Sequence, residues 1–275
     1  MRVVTFASGS GGNCALLASG GTYILFDAGI SMRRIRACLA QRQLTPEAIS
    51  AVFITHAHSD HTAGLRTWAK QCAVPIYASA GTAAVLRREI PELTIRLREF
   101  GTGDTVEPGG ALGVQAFPTM HDAPGSVGYT VSDGKTRFGL CTDLGCVTDE
   151  VFDALCGVQA AILEANHDVE MLLHGPYPYP LKQRILSDHG HLSNEACGAL
   201  AASLAKSGTR EIVLGHLSRE TNRPERALEA VRACVGDGAA LRTAPPDTCL
   251  TMEFGEKRCS VSSSSASGKC AKSTT

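Results

Sequence analysis

Four side chains able to ligate a metal fall within six residues, His56, His58, Asp60 and His61, in the run Thr55-His56-Ala57-His58-Ser59-Asp60-His61. Imidazole nitrogens and a carboxylate oxygen held this close suit zinc, with manganese or iron favoured as the share of oxygen ligands rises. The run follows Ala51-Val52-Phe53-Ile54, an apolar stretch of strand type. The four residues therefore occupy the turn leaving a strand end, where a rigid element can aim several side chains at one point. The competing reading is a solvated polar turn rich in histidine, but H-x-H-x-D-H specifies far more than solubility requires.

The rest of the chain must position that turn. With 275 residues the chain can form one large domain, and no internal linker argues for two. Its composition is 44% hydrophobic, ordinary for a globular protein, and no apolar run approaches the length that spans a bilayer. Membrane insertion is therefore not expected. Met1-Arg2-Val3-Val4-Thr5-Phe6 turns to Ser and Gly too soon for a secretion signal, which leads us to expect a cytoplasmic protein. The 11 cysteines are odd in number and form no C-x-x-C pair, so Cys14, Cys38, Cys141, Cys197 and Cys234 read as reduced core residues. A net charge of -1 leaves no global footprint for nucleic acid. Local clusters such as Arg33-Arg34-Arg36 read as solvated faces.

Strands are expected at 3–6, 14–18, 22–27 and 51–54, joined by the glycine-rich turn Ala7-Ser8-Gly9-Ser10-Gly11-Gly12-Asn13 and a helix over 32–40. That turn could offer backbone N–H groups to an anion, although it lacks nucleotide-loop spacing. Helices over 62–71 and 81–89 flank a short strand at 75–77, and a second strand set runs through 104–107, 112–118, 127–132 and 136–141. The theme repeats with helices over 149–155, 194–205 and 224–235 and strands at 160–164, 211–215, 241–243 and 249–254. Alternation of this kind indicates an α/β protein. From residue 255 on, the sequence turns to Ser, Lys and Thr without an apolar face. Residues 1–255 are thus expected to form the domain and 256–275 a disordered polar tail.

H-x-H-x-D-H after a strand resembles the signature of the metallo-β-lactamase superfamily of metallohydrolases, and the resemblance implies an αββα four-layer sandwich. It also implies roles for further residues. Asp27 in Phe26-Asp27-Ala28-Gly29 would brace the metal loop, and His121 would join His56 and His58 on a first metal. Asp60, His61 and His216 would hold a second, with Asp143 bridging the two. Two cations about 3.5–4 Å apart can polarise a substrate oxygen and share a hydroxide, which Asp60 would help to orient.

Two more stretches resemble motifs of ribonuclease Z-like phosphodiesterases. Ala161-Ile162-Leu163-Glu164-Ala165 places a carboxylate at a strand end, and Gly190-His191-Leu192-Ser193-Asn194 places a histidine just before a helix. A histidine kept protonated by a carboxylate can protonate a leaving oxygen; alternatively, His191 is a surface neighbour of a helix cap. The runs E-A-N-H-D from Glu164, P-Y-P-Y-P-L-K-x-R-I from Pro176 and D-H-G-H-L-S-N from Asp188, with G-S-G-G-N near the start, resemble the YycJ (WalJ) group of small metallo-β-lactamase-fold proteins. That resemblance implies a metal-dependent 5′ to 3′ exonuclease acting on DNA, with zinc or manganese, or else iron, as the two divalent metals.

For grip on the substrate the candidates are Tyr177, Lys182 and Arg184, whose ring and cations could meet bases and phosphates. Equally, the Pro-Tyr segment is a rigid loop with structural tyrosines. His167 and Ser193 are further candidates, the one for holding a loop or a phosphate, the other for a phosphate or a helix cap. Two other functions fit the same residues: a small-molecule phosphodiesterase of the cyclic ribose phosphate kind, and a metal-stabilised regulatory protein with vestigial activity.

Overall fold

The computed structural model describes residues 1–110 and 112–255, so the tail expected over 256–275 lies outside the described residues. The chain opens with an antiparallel meander of β1 (Arg2–Ala7), β2 (Cys14–Ser19) and β3 (Thr22–Phe26). To this β4 (Ala51–Phe53), β5 (Ile76–Ala78) and β6 (Leu97–Glu99) add in parallel. A second sheet follows the same scheme. Its β7 (Thr105–Val106), β8 (Gly113–Pro118), β9 (Val127–Ser132) and β10 (Arg137–Cys141) are antiparallel neighbours. Beside them β11 (Ala160–Glu164), β12 (Glu211–Gly215) and β13 (Ala240–Thr243) run parallel, while β14 (Leu250–Glu253) returns to the first sheet against β1.

The first half carries α1 (Met32–Ala40), α2 (Ser59–Thr62), α3 (Leu65–Gln71) and α4 (Ala80–Glu89). The second carries α5 (Asp149–Leu155), α6 (Val169–His174), α7 (Tyr179–Ile185), α8 (Asn194–Lys206) and α9 (Pro224–Val235). Successive strand residues point to opposite faces, so adjacent apolar residues enter different cores. Val3, Leu17 and Phe26 meet Tyr129, Phe138 and Val213 between the sheets. Val4, Leu16 and Leu25 pack outward on Ile35, Leu39 and Trp68. On the far side Leu163 and Leu214 pack on Val151, Leu200 and Val231. Each fully buried side chain of this size contributes about 1.5–3 kcal/mol. The result is the αββα layering expected from the sequence.

Parallel neighbours end on the same side, so the C-terminal ends of β3 and β4, and of β10, β11 and β12, open toward one crevice, where ligands of α/β sheets gather. The helix expected over 62–71 is instead two, broken at Gly64, whose N–H donates to Ala28 O at 2.7 Å. A β-carbon there would stand 2.4 Å from Ile30 O, so the close approach of the two segments requires glycine. The Pro-Tyr segment, read as a loop, folds into a helix from Tyr179. Pro180 lies in its first turn, where a missing N–H leaves no bond unmade. Strand β6 and helix α6 were not legible in the sequence. Cys14, Cys38, Cys141 and Cys197 are buried as expected, whereas Cys234 is exposed on α9. No helix among the described residues is long and apolar enough to cross a membrane.

Candidate metal centre

Asp27, Asp143 and His216 each leave a strand with positive φ, 58°, 61° and 53°. Left-handed backbone costs a non-glycine residue about 1–2 kcal/mol and gathers where surrounding structure over-determines it. Here it turns each side chain sharply off its strand end, Asp143 and His216 into the crevice and Asp27 onto the metal loop behind it. The bends are held by hydrogen bonds: Asp27 N–H donates to Phe53 O at 2.8 Å, and His216 N–H to Ser8 Oγ at 2.9 Å.

The side chains so aimed converge. Ligating atoms of His56, His58 and His121 lie within 4.8 Å of one another, as do those of Asp60, His61 and His216. Asp143 joins His56 and His61 within the same limit, and also Glu164, His191 and His216, so it touches both groups. Three of the imidazoles are oriented from behind. His61 Nδ1 donates to Asp27 Oδ2 at 2.8 Å, His216 Nδ1 to Glu164 Oε1 at 2.9 Å, and His121 Nδ1 to Gly190 O at 3.1 Å, which leaves Nε2 of each toward the others. Asp27 also accepts from Thr55 N–H at 2.8 Å and so ties the metal loop to the end of β3. Such carboxylate–histidine pairs fix the tautomer a metal needs.

Among the described residues, His56 Nε2 and Asp143 Oδ2 are buried without a hydrogen-bond partner. Orphaned polar atoms of this kind carry a desolvation penalty that a bound cation would relieve. The nitrogen and oxygen donors are those of a divalent transition metal, and the residues fit one.

The electrostatics follow from burial and from the carboxylates. Burial works against the His216 imidazolium, but Asp143, Asp60 and Glu164 hold its pKa up at about 10. Burial, with the neighbouring His61 adding to the effect, lowers His56 well below the usual histidine range. Burial likewise opposes the charge on His191, but Glu164, by charge and hydrogen bond, raises it overall.

Glu164 is fully buried and organises this side of the site. Its Oε1 accepts from His191 Nδ1 at 2.7 Å and from His216 Nδ1, and its Oε2 from Leu144 N–H at 2.9 Å and Leu192 N–H at 3.3 Å. It reaches the crevice only through the two histidines, so its part is positioning rather than contact with substrate. His191 lines the crevice, a cleft of about 270 Å³ shared with Asp60, Asp143 and His216.

Of the expected substrate contacts, Tyr177 and Arg184 line that cleft, and Arg184 pairs with Asp122. Lys182, Ser193 and His167 do not line it. The Lys182 ammonium donates to Leu173 O, and the Ser193 hydroxyl oxygen caps α8 by accepting from Ala196 N–H at 3.2 Å. His167 is only 1% exposed, and burial pushes its pKa down to about 4, so it is neutral and sits behind the cleft wall. Three residues escaped the sequence reading. Asp122 lies 3.4 Å from His121 Nε2, Asn13 Nδ2 lies 2.9 Å from His61 Nε2, and Asn166 Nδ2 donates to His216 O at 3.0 Å. Asn13 and Asn166 stood inside runs already of interest and Asp122 beside a candidate ligand, but carboxamides and a carboxylate beside a histidine carry no periodic signal.

Residues 22–217 match the beta-lactamase superfamily domain. The chain is 36% identical over 226 residues to a Bacillus anthracis protein named exodeoxyribonuclease YycJ, covering 82% of this chain and 85% of the relative. It is also 36% identical over 226 residues to exodeoxyribonuclease WalJ of Streptococcus pneumoniae, covering 80% of this chain and 83% of that one. Among solved structures, Zn(2+)-bound PqqB from Methylobacterium extorquens superposes with a TM-score of 0.69 at 20% identity, over 92% of this chain and 100% of the other, a likeness of fold alone.

Proposed function

Because this chain belongs to the beta-lactamase superfamily of hydrolases, we propose that it is a dinuclear-metal-dependent phosphodiesterase that degrades DNA from the 5′ end. His56, His58 and His121 would hold one cation and Asp60, His61 and His216 the other, with Asp143 between them. Bound zinc or manganese would supply Lewis-acid polarisation of a phosphoryl oxygen and a lowered pKa for water. The chain's own contribution is proton control. With Nδ1 donating to Glu164 at 2.7 Å, His191 holds its second proton at Nε2 on the cleft and delivers it to the oxygen that leaves the scissile phosphate. That pair, placed beside both ligand groups, is the observation that carries the reading, since amide hydrolysis would call for neither residue. The names of the 36% identical relatives support DNA as the substrate. Tyr177 on the cleft would stack on a base and Arg184 would meet a phosphate.

The test is hydrolysis of a 5′-labelled DNA duplex beside bis-p-nitrophenyl phosphate, with manganese, zinc or chelator, for the wild type and His191→Ala. Metal-dependent shortening from the labelled end, lost in the variant while bound metal is retained, is the expected result. Cleavage of the small diester with intact DNA would move the assignment to a small-molecule phosphodiesterase. Loss of metal from the variant would place His191 among the ligands.

A further inference from the structure

The glycine-rich turn, whose Ser8 and Asn13 meet His216 and His61, also forms one lip of the cleft through Ser10. Asn13 closes it, accepting from Gly9 N–H through Oδ1 at 2.9 Å, and a β-carbon at Gly12 would stand 2.6 Å from Gly29 O. Ser10 at its tip lines the cleft together with Ser218. The N–H groups of Ser10 and Gly11 find no partner among the described residues, and both residues are exposed. Over the turn hangs Arg219, whose Nη2 is 3.6 Å from the place of a Gly11 β-carbon. Arg219 Nη2 also bonds Asp247 Oδ2 at 2.7 Å, and the same carboxylate takes Arg34 Nη1 at 3.3 Å. Arg223 Nη1 adds a bond to Arg219 O at 2.8 Å. Helix α1 and the segment after β12 thus bring two guanidiniums, Arg34 and Arg219, onto one carboxylate of the loop before β14. Arg184 stands by the other ligand group, through Asp122 next to His121.

We propose that Arg219, with Arg34, Ser10 and Ser218, forms a subsite for a backbone phosphate of the DNA strand next to the one being cleaved. The inference rests on the nuclease reading. Two guanidiniums on one carboxylate leave excess positive charge; Arg34 spends its Nη2 on Phe6 O at 2.9 Å and Pro246 O at 3.2 Å, whereas Arg219 keeps unused N–H donors, and phosphate is the anion its planar fork matches. Together with Arg184 the subsite gives the strand a cationic contact on each flank of the metal ligands, a footprint that the neutral overall charge conceals.

The test is binding of a short phosphorothioate single strand by the metal-loaded protein across a salt series. Arg219→Ala should weaken binding roughly tenfold and flatten the dependence of log affinity on log salt by about 0.7. Asp247→Asn, which frees Arg219 from its ion pair, should bind at least as tightly as the wild type. A structural role for the ion-pair cluster instead makes both variants weaker, and that result, or an Arg219→Ala variant that binds like the wild type, overturns the subsite while leaving the nuclease intact. A wild type that hydrolyses bis-p-nitrophenyl phosphate but neither binds nor degrades DNA overturns the nuclease reading and the subsite together.

Discussion

Glu164→Gln keeps the size of the side chain and exchanges one acceptor oxygen for an NH2 group. The carboxylate accepts from His191 Nδ1, His216 Nδ1, Leu144 N–H and Leu192 N–H, two on each oxygen, at 2.7–3.3 Å. Whichever way the amide turns, two of the four donors face another donor. A buried donor left unmatched costs about 1–3 kcal/mol, and the site is fully buried, so the loss should be about 3 kcal/mol. For a domain of this size that lowers the melting temperature by roughly 6–12 °C, which calorimetry will show. Turnover is affected separately. Without the carboxylate the His191 imidazolium loses the charge and hydrogen bond that sustain it, and with them the proton at Nε2. General acid catalysis is worth about 10²–10⁴-fold, so kcat on DNA at saturating metal should fall about 100-fold while KM stays nearly constant. The decisive measurement is the double-mutant cycle with His191→Ala. If Glu164 acts on turnover through His191, the double variant is no slower than His191→Ala alone; if the two losses in kcat multiply, action through His191 is refuted.

Metal uptake should release protons and tighten with rising pH. His216 carries a pKa of about 10 in the cluster, and only its neutral form ligates, so affinity climbs as pH approaches that value. Titration calorimetry in buffers of different ionisation heat measures the proton count, and an affinity flat between mildly acidic and alkaline pH would contradict the assignment. In Gly29→Ala the new methyl would stand 1.6 Å from Asp60 O, which must displace the metal loop; a loss of about 4 kcal/mol or more in denaturant unfolding is expected, with weaker metal retention. Ser193→Ala should lose about 1 kcal/mol through its helix cap and keep kcat/KM within about twofold. A large drop in activity at unchanged stability would return Ser193 to the substrate contacts.

Local chemistry made much of this protein legible in one dimension. The strands are apolar runs because both of their faces are buried, and helices such as α1, α5 and α9 begin and end where sequence signals place them. H-x-H-x-D-H declares a metal because its ligands are close in the chain. The same reasoning misplaced α7, where prolines in a first turn resemble those of a loop, and left Cys234 in a core it does not enter, since helical periodicity cannot tell a buried face from its margin.

Tertiary structure alone decided what depends on convergence. Glu164 and His216 are 52 residues apart and Asp60 and His216 156, yet they meet at 2.9 and 3.3 Å because parallel strands bring distant C-terminal ends to one crevice. The left-handed bends at Asp27 and His216 are held by hydrogen bonds from other elements, to Phe53 O and Ser8 Oγ. His167 and Ser193 stood open in sequence between a phosphate contact and a loop holder or helix cap, and burial and capping leave both off the cleft lining. Arg34, a solvated charge when read along the chain, shares one carboxylate with Arg219 in space. Residue type determines which bonds a side chain can make, and the fold determines which partners are within reach.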